Sequence, residues 1–279
     1  MSHIHWYPGH IAKAQRALKE KLNLVDVILE VLDARIPISS AYADSKALFG
    51  IKPRIILLNK ADLSDEKLNL KWKKQIEQNT GSICLLTSNG SQKDTNLIIN
   101  KILECAKPIH EKMTAKGLLP RAIRVMVVGM PNVGKSSTIN RLIKKAKTKT
   151  GAKAGVTRQQ QWVRVHDKIE LLDTPGIIPM KQADQNTALK LAFVNSIGEN
   201  AYDNEYAARE LLKCLEREYG ENVRSYYNLG NNEITVENVA IARNWIVSGG
   251  KPDITRCSQF ILSNFRDGKI GKFTLDDFE

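Results

Sequence analysis

The chain has 279 residues, 42% of them hydrophobic and 26% charged, with a formal net charge of +12. That length accommodates one full α/β domain plus a smaller one, and the composition is that of a soluble protein with a real core. Four scattered cysteines (Cys84, Cys105, Cys214, Cys257) exclude a disulfide framework or zinc site and fit a reducing cytosol, no run approaches the roughly 20 apolar residues of a membrane span, and the first ten residues lack the apolar stretch of a signal peptide.

In chain order, residues 11–22 read as an amphipathic helix through Ile11, Ala14, Leu18 and Leu22. Six β-rich runs follow, at 25–33, 54–58, 82–87, 123–129, 161–165 and 168–172. Helical stretches at 65–79, 93–105 and 135–146 separate most of them. Strands alternating with helices predict a mostly parallel sheet covered on both faces, with ligands beyond the carboxyl ends of the strands. Near residue 200 the pattern turns helical. A helix from Tyr206 to Tyr219 stops at Gly220. A second, capped by Thr235, holds Val236, Val239, Ala240 and Trp245 and ends at Gly249 and Gly250. A third, capped by Asp253, runs through Phe265 to Gly268. The expected division is an α/β domain over 1–199 and a small all-helical domain over 200–279.

Three strand ends carry chemistry. Gly129-Met130-Pro131-Asn132-Val133-Gly134-Lys135-Ser136 fits the Walker A pattern, follows the strand Val125–Val128 and opens a helix. Its glycines let backbone N–H groups wrap phosphates at a helix N-terminus, Lys135 should reach the β- and γ-phosphates, and the Ser136 hydroxyl should hold Mg2+; Ser137 continues this first turn. Asp173-Thr174-Pro175-Gly176 ends the sixth strand. Asp173 is a second magnesium group, and Gly176 can offer its N–H to the γ-phosphate because no side chain blocks the approach. Asn59-Lys60-Ala61-Asp62 ends the second strand. The Asp62 carboxylate can accept from both N1 and N2 of guanine, a donor pair adenine lacks, so this motif selects GTP and GDP. Lys60 packs its stem on the base, and Asn59 ties this loop to the phosphate loop. The competing reading makes Asp62 or Ser64 a helix cap. Thr87-Ser88-Asn89 at the third strand end offers backbone N–H groups to guanine O6. Thr157 is a candidate magnesium ligand and γ-phosphate sensor, with an ordinary loop threonine as the alternative.

The charge is uneven: +6 over residues 1–120, +9 over 121–199 and −3 over 200–279. Between Lys135 and Asp167 there is no acidic residue, while Arg141, Lys144, Lys145, Lys147, Lys149, Lys153, Arg158 and Arg164 are all basic. Such a run attracts nucleic acid; the alternative is a solvated loop that keeps the protein soluble.

The motif order is the anomaly. The guanine-reading motif precedes the phosphate loop, the reverse of ordinary small GTPases. In this the chain resembles the circularly permuted GTPases of ribosome assembly, and most closely those of the large subunit. The likeness covers nearly the whole chain, including Trp6-Tyr7-Pro8-Gly9-His10, Asp33-Ala34-Arg35 and Phe265-Arg266-Asp267-Gly268-Lys269-Ile270-Gly271. Asn89 stands where the family usually has alanine, and Ala154 replaces a frequent proline. The resemblance implies a P-loop GTPase domain of permuted order with a C-terminal domain that contacts RNA or the ribosome. It implies a monomer, with no membrane association, in the bacterial cytoplasm or an organelle, maturing the large subunit by touching its rRNA and ribosomal proteins. It also points to His10 as the catalytic histidine that orients water, since Ile177 and Ile178 follow Gly176 and neither polarises water; packing or capping of the first helix is the alternative for His10. Asn132 resembles the asparagine of potassium-stimulated relatives, so K+ is a possible second ion. Two further readings compete with a GTPase. One is a GTP-gated RNA clamp with negligible turnover; the other is a small-metabolite kinase, which the Asn59–Asp62 motif and the basic run disfavour.

Overall fold

The computed structural model describes residues 18–42, 45–88, 90–150, 162–172, 184–198 and 201–278. Helix α1, described over 18–22, leads to β1 (Val27–Asp33), α2 (Ser45–Phe49), β2 (Arg54–Asn59), α3 (Glu66–Thr80), β3 (Ile83–Leu86) and α4 (Gln92–Ala115). Then come β4 (Ile123–Val128), α5 (Lys135–Thr150), β5 (Trp162–His166), β6 (Ile169–Leu172) and α6 (Gln185–Phe193). The C-terminal part holds α7 (Asn204–Tyr227), α8 (Val236–Ala242), a hairpin of β7 (Ile246–Val247) and β8 (Lys251–Pro252), and α9 (Ile254–Arg266).

The six longer strands form one sheet in the order β3-β2-β1-β4-β6-β5, parallel except for β5 against β6. The chain winds outward from β1 through β2 to β3, then restarts on the other side of β1 with β4. The crevice between the ends of β1 and β4 is therefore the switch point where doubly wound sheets hold ligands. All seven residues of β1 are buried, as a central parallel strand requires. Val27, Leu29 and Val31 join one apolar cluster with Ile98 and Ile102 of α4, Leu191 of α6, Leu211 of α7 and Ile261 of α9. On the other face Ile28 packs with Leu18, Leu22, Phe49 and Met126, and Leu32 with Ile56, Trp72 and Ile76. Each such buried side chain contributes roughly 1.5–3 kcal/mol relative to exposure.

Helix starts follow the caps. Asp65, Ser91, Asp184, Asp203, Thr235 and Asp253 each accept from a backbone N–H of the first turn. Ends are less faithful to local signals. Helix α4 runs ten residues beyond the predicted 105, past Pro108, where Ala106 and Ile109 still pack on the core. Helix α7 does not stop at Gly220. It continues to Tyr227 through a single non-helical residue, Tyr219 (φ −128°, ψ 20°), because Val223 and Tyr227 complete the core beyond the kink. The helix capped by Thr235 ends at Ala242, not at the glycines. Asn244 turns it at φ 56°, and Gly249 and Gly250 instead make the β7–β8 turn at φ 87° and 73°. Trp245 thus leaves the helix and stacks edge-on to Phe260 at 4.7 Å.

Candidate active site

The loop after β4 is shaped by two glycines. Gly129 has φ 152°, and a Cβ there would lie 2.3 Å from the Val31 carbonyl oxygen. Gly134 has φ 104°, and its Cβ would fall 2.1 Å from Asn59 Nδ2. Only glycine lets this loop fold over the end of β1 and against the β2 loop. Lys135 opens α5, and Ser136 and Ser137 are exposed in its first turn. Lys135 Nζ donates to the Met130 carbonyl at 2.6 Å, folded back over the loop whose anionic guest it would serve. Burial holds its ammonium group down to about 8.

Asn59 is fully buried and joins three strand ends. Its Nδ2 donates to Val133 O at 2.8 Å, and its Oδ1 accepts from Thr87 Oγ1 at 3.1 Å. Lys60, in the left-handed region at φ 61°, donates through Nζ to Asp33 Oδ2 at 2.8 Å and to the Asn132 carbonyl at 2.7 Å. The loops after β2 and β4 are thus bonded twice, by the two residues that precede Ala61. Asp62 itself is exposed and makes no hydrogen bond among the described residues. The competing role for it is taken by its neighbours: Asp65 caps α3, accepting from Lys67 N and Leu68 N at 2.8 and 2.9 Å, and the Ser64 hydroxyl donates to Asn69 Oδ1 at 2.7 Å.

Ser88 closes the third strand end. Its N–H donates to Asp94 Oδ2 at 2.9 Å, and its carbonyl accepts from Arg141 Nη1. The loop carrying Asn195 and Ser196 backs the phosphate loop: Asn132 Nδ2 donates to Asn195 O at 2.6 Å, and Ser196 Oγ donates to Pro131 O at 2.8 Å. Of the sequence-predicted site residues, Asn59, Lys60, Asp62, Thr87, Ser88 and Pro131 to Ser137 converge on this crevice. His10, Asn89, Thr157, Asp173 and Gly176 lie outside the described residues.

Sequence reading missed Arg141 as a site residue and counted it in the basic run. It shares a helix face with Thr138, three residues earlier and buried, whose Oγ1 it reaches at 3.3 Å. That spacing was the available signal. Asp33 and Arg35 were noticed without a role. Arg35 Nε and Nη2 fork onto Asp33 Oδ1 and Oδ2, both at 2.9 Å. Burial alone would push the Asp33 carboxyl up, but Arg35 and Lys60 beside it hold it well below the usual carboxylate range.

Residues 124–232 match the family described as 50S ribosome-binding GTPase. That span begins in β4 and omits Asn59–Asp62, which lie upstream in this chain. Over 98% of the chain, it is 39% identical to ribosome biogenesis GTPase A of Bacillus cereus, covering 93% of that protein. It is 32% identical to the Thermotoga maritima protein of the same name over 97% of the chain and 93% of that protein. The mouse mitochondrial ribosome-associated GTPase 1 is 31% identical over 97% of the chain and 89% of its own length. Among solved structures, GDP-bound YlqF superposes with a TM-score of 0.64 at 28% identity, covering 94% of this chain and 98% of that one.

Proposed function

The chain belongs to the ribosome biogenesis GTPase A family, and from that premise we propose that it hydrolyses GTP to GDP and phosphate as a late maturation factor of the large ribosomal subunit. The observation that carries this reading is the double bond-tie, through Asn59 and Lys60, between a glycine-shaped phosphate loop and the loop presenting Asp62. Backbone N–H groups from Asn132 to Ser137 and the N-terminal end of α5 hold the phosphates, with Lys135 swinging from Met130 O to their oxygens. Asp62 accepts from guanine N1 and N2.

P-loop GTPases generally use Mg2+. The exposed Ser136 hydroxyl beside Lys135 fits a hard, oxygen-seeking cation, and Ser136, Thr157 and Asp173 would hold it. When bound, it neutralises charge on the β- and γ-phosphates. Gly176 offers its N–H to the γ-phosphate. With Ile177 and Ile178 beyond it, turnover is slow until the subunit docks and His10 orients the attacking water. A potassium ion at Asn132 adds charge at the phosphates. The bond from Asn132 to Asn195 uses the amide nitrogen and not the oxygen such an ion needs. Turnover is then faster in potassium than in sodium at equal ionic strength, and equal rates remove the ion from Asn132.

In this reading residues 1–199 form the GTPase domain, 200–279 contact RNA or the ribosome, and the protein works as a monomer in the bacterial cytoplasm or an organelle. Among the described residues no helix is long and apolar enough to cross a membrane. The test is GTP turnover with and without purified large subunits. Stimulation is expected. Negligible turnover in both, with GTP-dependent subunit binding, identifies a GTP-gated RNA clamp instead.

A further inference from the structure

The segment that presents Asp62 is held from behind by the far end of the chain. Phe273 N donates to Leu63 O at 3.1 Å, and Leu275 N donates to Arg35 O at 2.7 Å. Between them, Thr274 Oγ1 accepts from Asp65 N at 3.2 Å. Asp276 then takes four donors: Ile38 N at 2.7 Å, Ser39 N at 2.9 Å, Ser39 Oγ at 2.6 Å and Lys190 Nζ at 3.1 Å. Gly268 presses on Leu63 so closely that a Cβ would lie 2.6 Å from Leu63 Cδ2. The bonds to Leu63 and Asp65 follow Asp62 directly on its C-terminal side, and three of the four groups they join are backbone groups. They fix the path of the chain, not merely a side chain.

Arg35 joins this strap to the nucleotide side. One edge of its guanidinium forks Asp33, whose Oδ2 also receives Lys60 Nζ. Its Nη1 donates to the last carbonyls of α9, Phe265 O at 3.4 Å and Arg266 O at 3.3 Å, and its plane lies 5.3 Å from the Phe265 ring. Phe265 O also accepts from Gly268 N at 3.1 Å, and a cation suits the C-terminal end of a helix. Arg35 is 1% exposed, so neither set of bonds is replaced by water when the other loosens. An unbroken chain of contacts therefore runs from α9 through Arg35, Asp33 and Lys60 to the Asn132 carbonyl of the phosphate loop.

We propose that Arg35 and the strap 273–276 are positioning residues of the base site, so that docking of the C-terminal helices and recognition of guanine form one coupled equilibrium. The proposal rests on Asp62 being the base-reading carboxylate. By linkage, whatever factor strap docking adds to guanine affinity, bound guanine nucleotide adds to strap docking. A partner that lifts α9 would loosen the nucleotide, and nucleotide release would loosen α9.

Inosine nucleotides lack the N2 amino group, so the ratio of GDP to IDP affinity reports where Asp62 stands, independently of the phosphates. The experiment measures that ratio by competition with a fluorescent GDP on the full chain, for wild type, Asp62→Asn, Thr274→Val and Arg35→Lys. Asp62→Asn should abolish the preference. Thr274→Val, which removes one hydroxyl and keeps the shape, should lower the ratio by roughly fivefold, the worth of one hydrogen bond, in a protein that still unfolds cooperatively with only slightly reduced stability. Arg35→Lys, which keeps the charge and loses the fork, should lower it further. A wild-type ratio in Asp62→Asn defeats the base-site reading itself. A lost ratio in Asp62→Asn beside a wild-type ratio in Thr274→Val overturns the coupling and leaves the strap a structural tie. Thr274→Val decides this even where Arg35→Lys does not fold.

Discussion

Asp62 carries its charge at the surface of the crevice because Asp65 caps the following helix in its place. Asp62→Asn turns one acceptor into an amide that presents a donor to guanine N1–H. Calorimetry should show weaker GTP binding and stronger xanthosine triphosphate binding; equal GTP affinity in the two proteins removes Asp62 from the base site. Lys135 makes a pH prediction. Burial holds its pKa down to about 8 while its ammonium rests on Met130 O, and phosphate raises it by pairing with the charged form. Only the protonated lysine gains from phosphate, so GDP affinity should be flat below that value. It should fall as pH rises above it, by up to about tenfold per unit. Titration from about pH 7 to about pH 9 tests this, and a flat profile would place Lys135 away from the phosphates. Residue types at fixed spacing made Asn59 and Lys135 legible in sequence. The inward roles of Arg141 and Arg35 were not, since Ser88 and Phe265 lie 53 and 230 positions away from them.

Helix α5 divides the basic run by face. Arg141 turns inward to the Ser88 carbonyl, whereas Lys144 is exposed and Lys145 partly so. The outward-facing part of the run therefore starts after Arg141. Reversing Lys144, Lys145 and Lys147 to glutamate should weaken subunit binding and flatten its dependence on salt, because fewer counterions are released. Binding measured across a salt series checks this; an unchanged slope means that these lysines are solvated and touch no phosphate. The C-terminal helices show why element ends resist prediction. Gly220 sits beside the Tyr219 kink, and the kink has a use: Tyr219 packs on Phe273 at 4.7 Å, and its hydroxyl accepts from Thr274 N at 3.4 Å. The break in α7 is the seat of the strap, a purpose invisible to a local reading of glycine as a stop.

For the whole molecule, permutation leaves the strand order around the crevice consistent with a nucleotide site while changing which segments are chain neighbours. The Asn59–Asp62 loop lies early and the phosphate loop late, yet β1 carries β2 on one side and β4 on the other. The role proposed for His10 belongs to this scale, because His10 and Gly176 lie far apart in the chain. His10→Ala should leave GTP affinity intact and reduce subunit-stimulated turnover by roughly a hundredfold, the usual worth of an acid–base or water-positioning group. Single-turnover hydrolysis with saturating large subunits is the measurement, and wild-type rates there would make His10 structural.

The amino-acid sequence by itself determined the mostly parallel sheet, its strands to within a residue or two, and the P-loop GTPase class of the domain. Period, caps and the Walker A spacing are local, and local rules govern them. Tertiary structure alone decided that α7 passes Gly220, that Arg141 faces inward, and that residues 273–276 return to the base-reading loop. Each depends on a contact between distant segments whose burial outweighs the local preference of a glycine, a charged side chain or a chain terminus.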